Sequence, residues 1–313
     1  MKHNLFFTLS LFAIALLTAC GLHTDLNQQT ANHIARPAFM SERFISAGNF
    51  QIKAWERMHA PSHVAHVYIE GDGVRQSKIV ANELQPKALM GNPTPDNPVA
   101  LHLASRDKAQ NLAYLGRPCQ YIKMPQDKGC DAMYWRQSRF APEVISAYEA
   151  ALDDIAARYN ITGFHLIGYD GGANIAAVLA AKRPDVLSLR TVAGDLNPDF
   201  TADHTKQSQL ASNSVLAVDH GSMLANVPQH HFIGAADSVV TPGVYHSYRQ
   251  MVGLSDCIHY SLVQDADHTN GWVEKWPELL KLQPQCAVVH QELPALPPPP
   301  DDIPMNYEKG FSK

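Results

Sequence analysis

Residues 164–181, "FHLIGYDGGANIAAVLAA", constrain this chain more than any other stretch. "FHLIGY" is a short apolar run of strand length, and "ANIAAVLAA" is a run of good helix formers. Between them, Gly168-Tyr169-Asp170-Gly171-Gly172 fits G-x-x-x-G with Asp170 at its centre. Such glycines let a strand bend sharply into a helix, let the two elements approach closely, and hold the central side chain out at the bend. That side chain then stands at the positive end of the helix dipole, where an anion is favoured.

The rest of the chain repeats this alternation. "FQIKAWERM", "HVAHVYIEG", "NLAYLGRP", "SLRTVAGDL", "QHHFIGAAD" and "HYSLVQDAD" read as strands. "NPVALHLASRD", "APEVISAYEAALDDIAARYN", "VYHSYRQMVG" and "WVEKWPELLKL" read as helices, the second opened by Pro142 and closed by Asn160. A β-α-β-α order predicts an α/β fold with a mostly parallel central sheet and helices on both faces. In such sheets ligands bind beyond the C-terminal ends of the strands. Besides Asp170, two reactive side chains fall at strand ends: Asp237 after "QHHFIGAA" and His268 after "HYSLVQDAD".

The order Asp170, Asp237, His268 is nucleophile, acid, base. The chain order and several segments resemble the α/β-hydrolase fold over about residues 50–285. More narrowly, the sequence resembles a group of bacterial α/β-hydrolase lipoproteins in "VYIEGDG", "NPTPDNPVALHLA", "RPCQY", "RFAPEVISA", "VAGDL" and "HTNGWVEKWPELL". The resemblance implies a hydrolase in which His268 is the general base and Asp237 orients it, with Asp195 as the runner-up acid. It also implies an oxyanion hole of backbone N–H groups, one from Gly171 and one from within Gly71-Asp72-Gly73. Glu70 and Asp72 offer two acids that could orient a substrate hydroxyl or amine.

The departure is Asp170, where the lipoprotein group resembles enzymes with G-x-S-x-G. An aspartate is already anionic and needs no activation. On an acyl carbon it would give a mixed anhydride; its natural target is a saturated carbon bearing a leaving group. Haloalkane dehalogenases and epoxide hydrolases use this fold with aspartate at this position. Their nucleophile is followed by Trp, whereas Gly171 follows here, and the expected cap, residues 197–228, contains neither Tyr nor Trp. Tyr169 or Tyr134 could substitute as proton donor, although nothing in the sequence places their hydroxyls. Three functions stay open: a hydrolase of the esterase lineage with an altered elbow, an epoxide or haloalkane hydrolase, and a lipoprotein that binds a ligand or partner through a retired site.

The termini and cysteines set the compartment. "MKH" followed by "LFFTLSLFAIALL" has the form of a signal peptide, too short to span a membrane comfortably. It ends at Leu17-Thr18-Ala19-Cys20, which resembles the bacterial lipobox and implies lipidation of Cys20. The expected organisation is a signal peptide over residues 1–19, a tether over 20–45, a hydrolase domain over 46–290 and a proline-rich tail over 291–313. That places the protein in the cell envelope, at the outer membrane or facing the periplasm. An even set of Cys119, Cys130, Cys257 and Cys286 favours disulfides. Of three pairings, Cys119–Cys130 closes a short loop, and Cys257–Cys286 would then pin the C-terminal helix. No cysteine pair has zinc-site spacing, and no metal or cofactor is expected. A net charge of −5 without a basic run excludes a nucleic-acid groove. The expected partners are a small-molecule substrate and, through the anchor, a membrane.

Overall fold

The computed structural model describes residues 26–59, 61–73, 93–122, 129–204 and 209–286. Its strands are β1 (Ser41–Ala47), β2 (Phe50–Met58), β3 (Val64–Ile69), β4 (Asn111–Leu115), β5 (Gly163–Tyr169), β6 (Val186–Val192), β7 (Gln229–Gly234) and β8 (Ile258–Val263). Among its helices are α1, which includes residues 26–35, and α2 (Val99–Arg106), α3 (Pro142–Tyr159), α4 (Gly171–Lys182), α5 (Pro198–His204), α6 (Gly221–Leu224), α7 (Pro242–Val252) and α8 (Trp276–Leu279).

The strands form one sheet in the order β1-β2-β4-β3-β5-β6-β7-β8. The two pairings of β2 are antiparallel and all later ones parallel. Because β3 lies between β4 and β5, the strand order reverses there, and the C-terminal ends of β3 and β5 lie side by side. That reversal opens the crevice in which open α/β sheets hold ligands.

Alternate residues of each strand face opposite layers. Ala65, Val67 and Ile69 of β3 share one core with Val144 and Tyr148 of α3 and Ile175 and Leu179 of α4. Tyr68 faces the other core, with Ala31 of α1, Leu101 of α2 and Trp276 of α8. Helices therefore cover both faces, as the alternation implied. On the second face a polar row crosses the sheet. His66 stands in register with His165, Arg190 with His230, and His230 with His259. His165 Nδ1 lies 2.7 Å from Ser188 Oγ, and His230 Nε2 lies 2.9 Å from Ser261 Oγ.

Two expectations need correction. The stretch expected to be a tether to residue 45 is helical over 26–35 and then forms β1. Asn27, Ala31 and Ala35, spaced four apart, are buried, a stripe of small and polar residues too weakly apolar to stand out in the sequence. Asn32 Oδ1 accepts the indole N–H of Trp55 at 2.9 Å, which fastens α1 to β2. "WVEKWPELLKL" is not one long helix but a single turn, α8, preceded by turns. Pro277 cannot donate to a preceding turn, so the helix starts only beside it. Both disulfides pair as the short-loop reading favoured, Cys119 with Cys130 and Cys257 with Cys286. The signal peptide, Cys20 and the proline-rich tail lie outside the described residues. No helix among the described residues is long and apolar enough to cross a membrane.

Candidate active site

The elbow is built by backbone contact. A Cβ on Gly168 would lie 2.4 Å from the Cα of Ala173, and one on Gly172 would lie 2.4 Å from the carbonyl oxygen of Ile69. Only glycine lets β5, α4 and the end of β3 meet this closely. The same bend forces Asp170 to φ 51° and ψ −126°. A residue with a Cβ takes such a conformation at a cost of about 1–3 kcal/mol, and it persists where the surroundings impose it.

The structure brings Asp170, His268 and Asp237 together. His268 Nδ1 lies 3.0 Å from Asp237 Oδ2, and its Nε2 lies 3.5 Å from Asp170 Oδ1. The other oxygen of Asp237 accepts the backbone N–H groups of Val239 at 2.8 Å and Val240 at 2.9 Å. His268 is fixed through its backbone as well. Its carbonyl accepts the hydroxyl of Tyr169 at 3.1 Å, and the indole of Trp272 donates to the carbonyl of Asp267 at 2.9 Å. Tyr169 is therefore committed to the His268 loop, and the hydroxyl of Tyr134 donates to Glu143 at 3.0 Å.

Asp195 does not replace Asp237. It is buried beneath the elbow, where its Oδ1 accepts the hydroxyl of Thr201 at 2.6 Å and its N–H donates to the carbonyl of Asp170 at 2.9 Å.

The expected oxyanion donors resolve differently from one another. Gly71 N–H donates to its neighbour Glu70 at 2.9 Å, so it does not face the crevice. Asp72 N–H donates to Asp170 Oδ2 at 3.0 Å. Gly73, with φ 82°, turns the chain away where a Cβ would strike the carbonyl of Pro93. Gly171 opens α4 directly after Asp170, and a Cβ there would lie 2.2 Å from Asp72 Oδ1. The carboxylate of Asp72 thus fills the space that the glycine leaves.

Neither acid of this loop reaches out to a substrate. Glu70 is 1% exposed, and burial pushes its carboxyl up to about 7 against the opposing hydrogen bonds from Gly71 and Tyr114. Asp72 is held by Arg117 and Arg139, with its Oδ1 2.5 Å from the first and its Oδ2 3.2 Å from the second. Sequence reasoning assigned neither arginine a role, although "RPCQY" and "RFAPEVISA" carried both into view. Among the described residues no group of three or more His, Cys, Asp and Glu is arranged to hold a metal ion.

No family model matches the chain, and no curated protein matches it in sequence. Solved structures do. Est1E from Butyrivibrio proteoclasticus superposes with a TM-score of 0.53 at 10% identity, covering 77% of this chain and 96% of that one. A Klebsiella pneumoniae protein described by inference as a dienelactone hydrolase gives 0.52 at 16% identity, covering 77% and 96%. A membrane phospholipase A, described as a bacterial virulence factor, gives 0.50 at 14% identity and covers 90% and 98%. At such identities the likeness is one of architecture, and that architecture is the α/β-hydrolase fold.

Proposed function

Starting from an α/β-hydrolase fold, we propose that the protein is a hydrolase that works through a covalent ester on Asp170, with His268 and Asp237 activating the water that cleaves it. The observation that carries this reading is the division of the Asp170 carboxylate. One oxygen faces His268 at 3.5 Å while the other accepts the N–H of Asp72 at 3.0 Å. In the first step Oδ1 bonds to an electrophilic saturated carbon, and the leaving group departs with the bonding electron pair. Water then attacks Cγ while His268 Nε2 takes its proton. The charge that develops on Oδ2 meets the Asp72 N–H already aimed at it. Collapse breaks the Cγ–Oδ1 bond to the alkyl group, and the departing alkoxide takes the proton from His268. Asp170 is left as a carboxylic acid that carries one oxygen from water, and it returns to the carboxylate by releasing the remaining proton to solvent.

This geometry suits a saturated carbon better than an acyl carbon. An acyl substrate would need the Asp72 N–H for its own oxygen, and Asp170 already occupies that donor. The substrate class is therefore an epoxide, a haloalkane or a similarly activated alkyl compound. A second reading, acyl-ester hydrolysis, draws support from likeness to a membrane phospholipase A. It requires the Asp72 N–H to change partner during the reaction.

The test records intact mass after incubation of the protein with ester, epoxide and haloalkane panels, alongside Asp170→Ser and His268→Gln. The alkyl-ester reading expects His268→Gln to accumulate an adduct on Asp170, and expects the parent in 18O-water to gain one heavy oxygen there. No adduct in any panel would sink it. Esterase activity gained by Asp170→Ser and lacking in the parent would support an esterase lineage with an altered elbow. Silence from every variant would support a binding protein instead.

We further propose that Cys20 carries a lipid that anchors the protein in the cell envelope. Metabolic labelling with palmitate tests this, and label retained in Cys20→Ser would refute it.

A further inference from the structure

We infer that Gln120, Arg117 and Arg139 are positioning residues that orient the Gly71–Asp72 peptide toward Asp170, an inference that rests on the covalent reading of the site. That single peptide group is held at both of its polar atoms. Its N–H donates to Asp170 Oδ2 at 3.0 Å, and its carbonyl, that of Gly71, accepts Gln120 Nε2 at 3.1 Å. A peptide is planar, so holding the oxygen sets the direction of the N–H on the far side. Gln120 is itself fixed from both ends of its amide. Its Oε1 accepts the N–H of Arg117 at 2.9 Å, and its Nε2 also reaches the carbonyl of Pro93 at 3.2 Å.

The arginines hold the residue that carries the N–H. Arg117 and Arg139 each take one oxygen of the Asp72 carboxylate, which stops rotation about the residue whose amide points at Asp170. Both guanidinium groups are immobilised in turn. Arg117 Nη2 donates to the carbonyl of Arg139 at 2.6 Å, Arg139 Nη1 donates to the carbonyl of Arg136 at 3.0 Å, and both stack on Phe140. Gln120 is fully buried and both arginines are 3% exposed. Burying three such polar side chains is costly unless each is paired, and what they jointly pair with is this one loop. Two guanidinium groups against one carboxylate also leave a positive charge behind the donor, which favours charge developing on Oδ2.

Arg117 and Gln120 share the turn that follows β4, and that turn is closed by Cys119–Cys130, with Cys119 and Tyr121 at φ 71° and 61°. The donor is thus aimed by a covalently braced turn outside the nucleophile, base and acid.

The deciding measurement needs no substrate. Amide hydrogen exchange and the 15N–1H shift of Asp72 are followed by NMR in the parent and in Gln120→Met, Arg117→Lys and Asp170→Asn. Asp170→Asn identifies the shift that reports the bond to Asp170. Gln120→Met, which keeps the shape and removes the donor, is expected to speed exchange at Asp72 by about fivefold while β4 and β5 amides keep their protection. Arg117→Lys is expected to act in the same direction. Asp72 exchange and shift unchanged in both variants would overturn the inference. If Gln120→Met does not fold, Arg139→Lys measured in the same way decides in its place. Where the parent forms an adduct with styrene oxide or 1-iodobutane, Gln120→Met should raise its standing fraction, because the donor serves cleavage of the ester more than its formation. A purely structural role would lower formation and cleavage alike. A His268→Gln variant that forms no adduct with either reagent counts against the covalent reading, while the amide measurement still decides the positioning.

Discussion

Asp237 holds His268 with one carboxylate oxygen and its own loop with the other. Its Oδ2 lies 3.0 Å from the imidazole Nδ1, and its Oδ1 accepts two backbone N–H groups. Asp237→Asn can keep the loop bonds through its amide oxygen while turning its NH2 toward Nδ1. The imidazole would then carry its proton on Nε2 and could not accept one from water. Turnover of any substrate found should fall by about 10³-fold or more with little change in melting temperature. Parallel loss of both would mean that Asp237 is chiefly structural.

The strained backbone at Asp170 gives a stability test independent of substrate. Asp170→Ala and Asp170→Gly both remove the carboxylate, but only glycine relaxes at φ 51°. Asp170→Gly should be more stable than Asp170→Ala by about 1 kcal/mol in chemical denaturation, the reverse of the usual order. Equal stabilities would show that the elbow bears no strain.

The polar row across the sheet predicts a pH profile. Burial, aided by neighbouring positive charge, lowers His165 and His230 from 6.5 to about 4. The unfolded chain therefore takes up protons between pH 6.5 and 4 that these folded sites refuse, so their stabilisation is complete above 6.5 and is lost as pH falls through that window. Glu70 runs the other way. Burial raises it from 4.5 to about 7, so its contribution is complete below 4.5 and is lost as pH rises to 7. Urea midpoints should rise from pH 4 to 6.5, more steeply in Glu70→Gln and less steeply in His230→Gln. An unchanged slope in both variants would remove these groups as its cause.

Cys257–Cys286 closes a span of 29 residues and ties the end of the described chain to the start of β8. Near it, Gln283 Oε1 accepts a guanidinium N–H of Arg190 at 2.9 Å. Cys286→Ser should cost about 2–4 kcal/mol in oxidised protein and little once the parent is reduced, as denaturation with and without reductant would report.

Much of the fold could be read from periodicity and glycine spacing, because the elements that build the sheet bury apolar side chains at regular intervals. The helix over 26–35 escaped because its buried face is alanine and asparagine, whose burial depends on what packs against them. The elbow was legible for a local reason, since Gly168 and Gly172 act within five residues of Asp170. His268 and Asp237 were legible as reactive residues at strand ends. Arg117, Gln120 and Arg139 were not, because nothing near them in the chain says that their side chains converge on a peptide some 45 residues or more upstream. That convergence is a product of tertiary structure alone.

The elbow's shape is owed to the close approach that Gly168 and Gly172 allow on either side of Asp170. Architecture and reaction are thereby separable at this position. A lineage holding this bend can pass between acyl and alkyl substrates by exchanging one residue, without an intermediate that fails to fold. On the reading proposed above, the Asp72 N–H that now donates to Asp170 Oδ2 would be available to a substrate's oxygen once serine stood at the apex. Scaffolds of this kind are suited to changing what they act upon while remaining the same object.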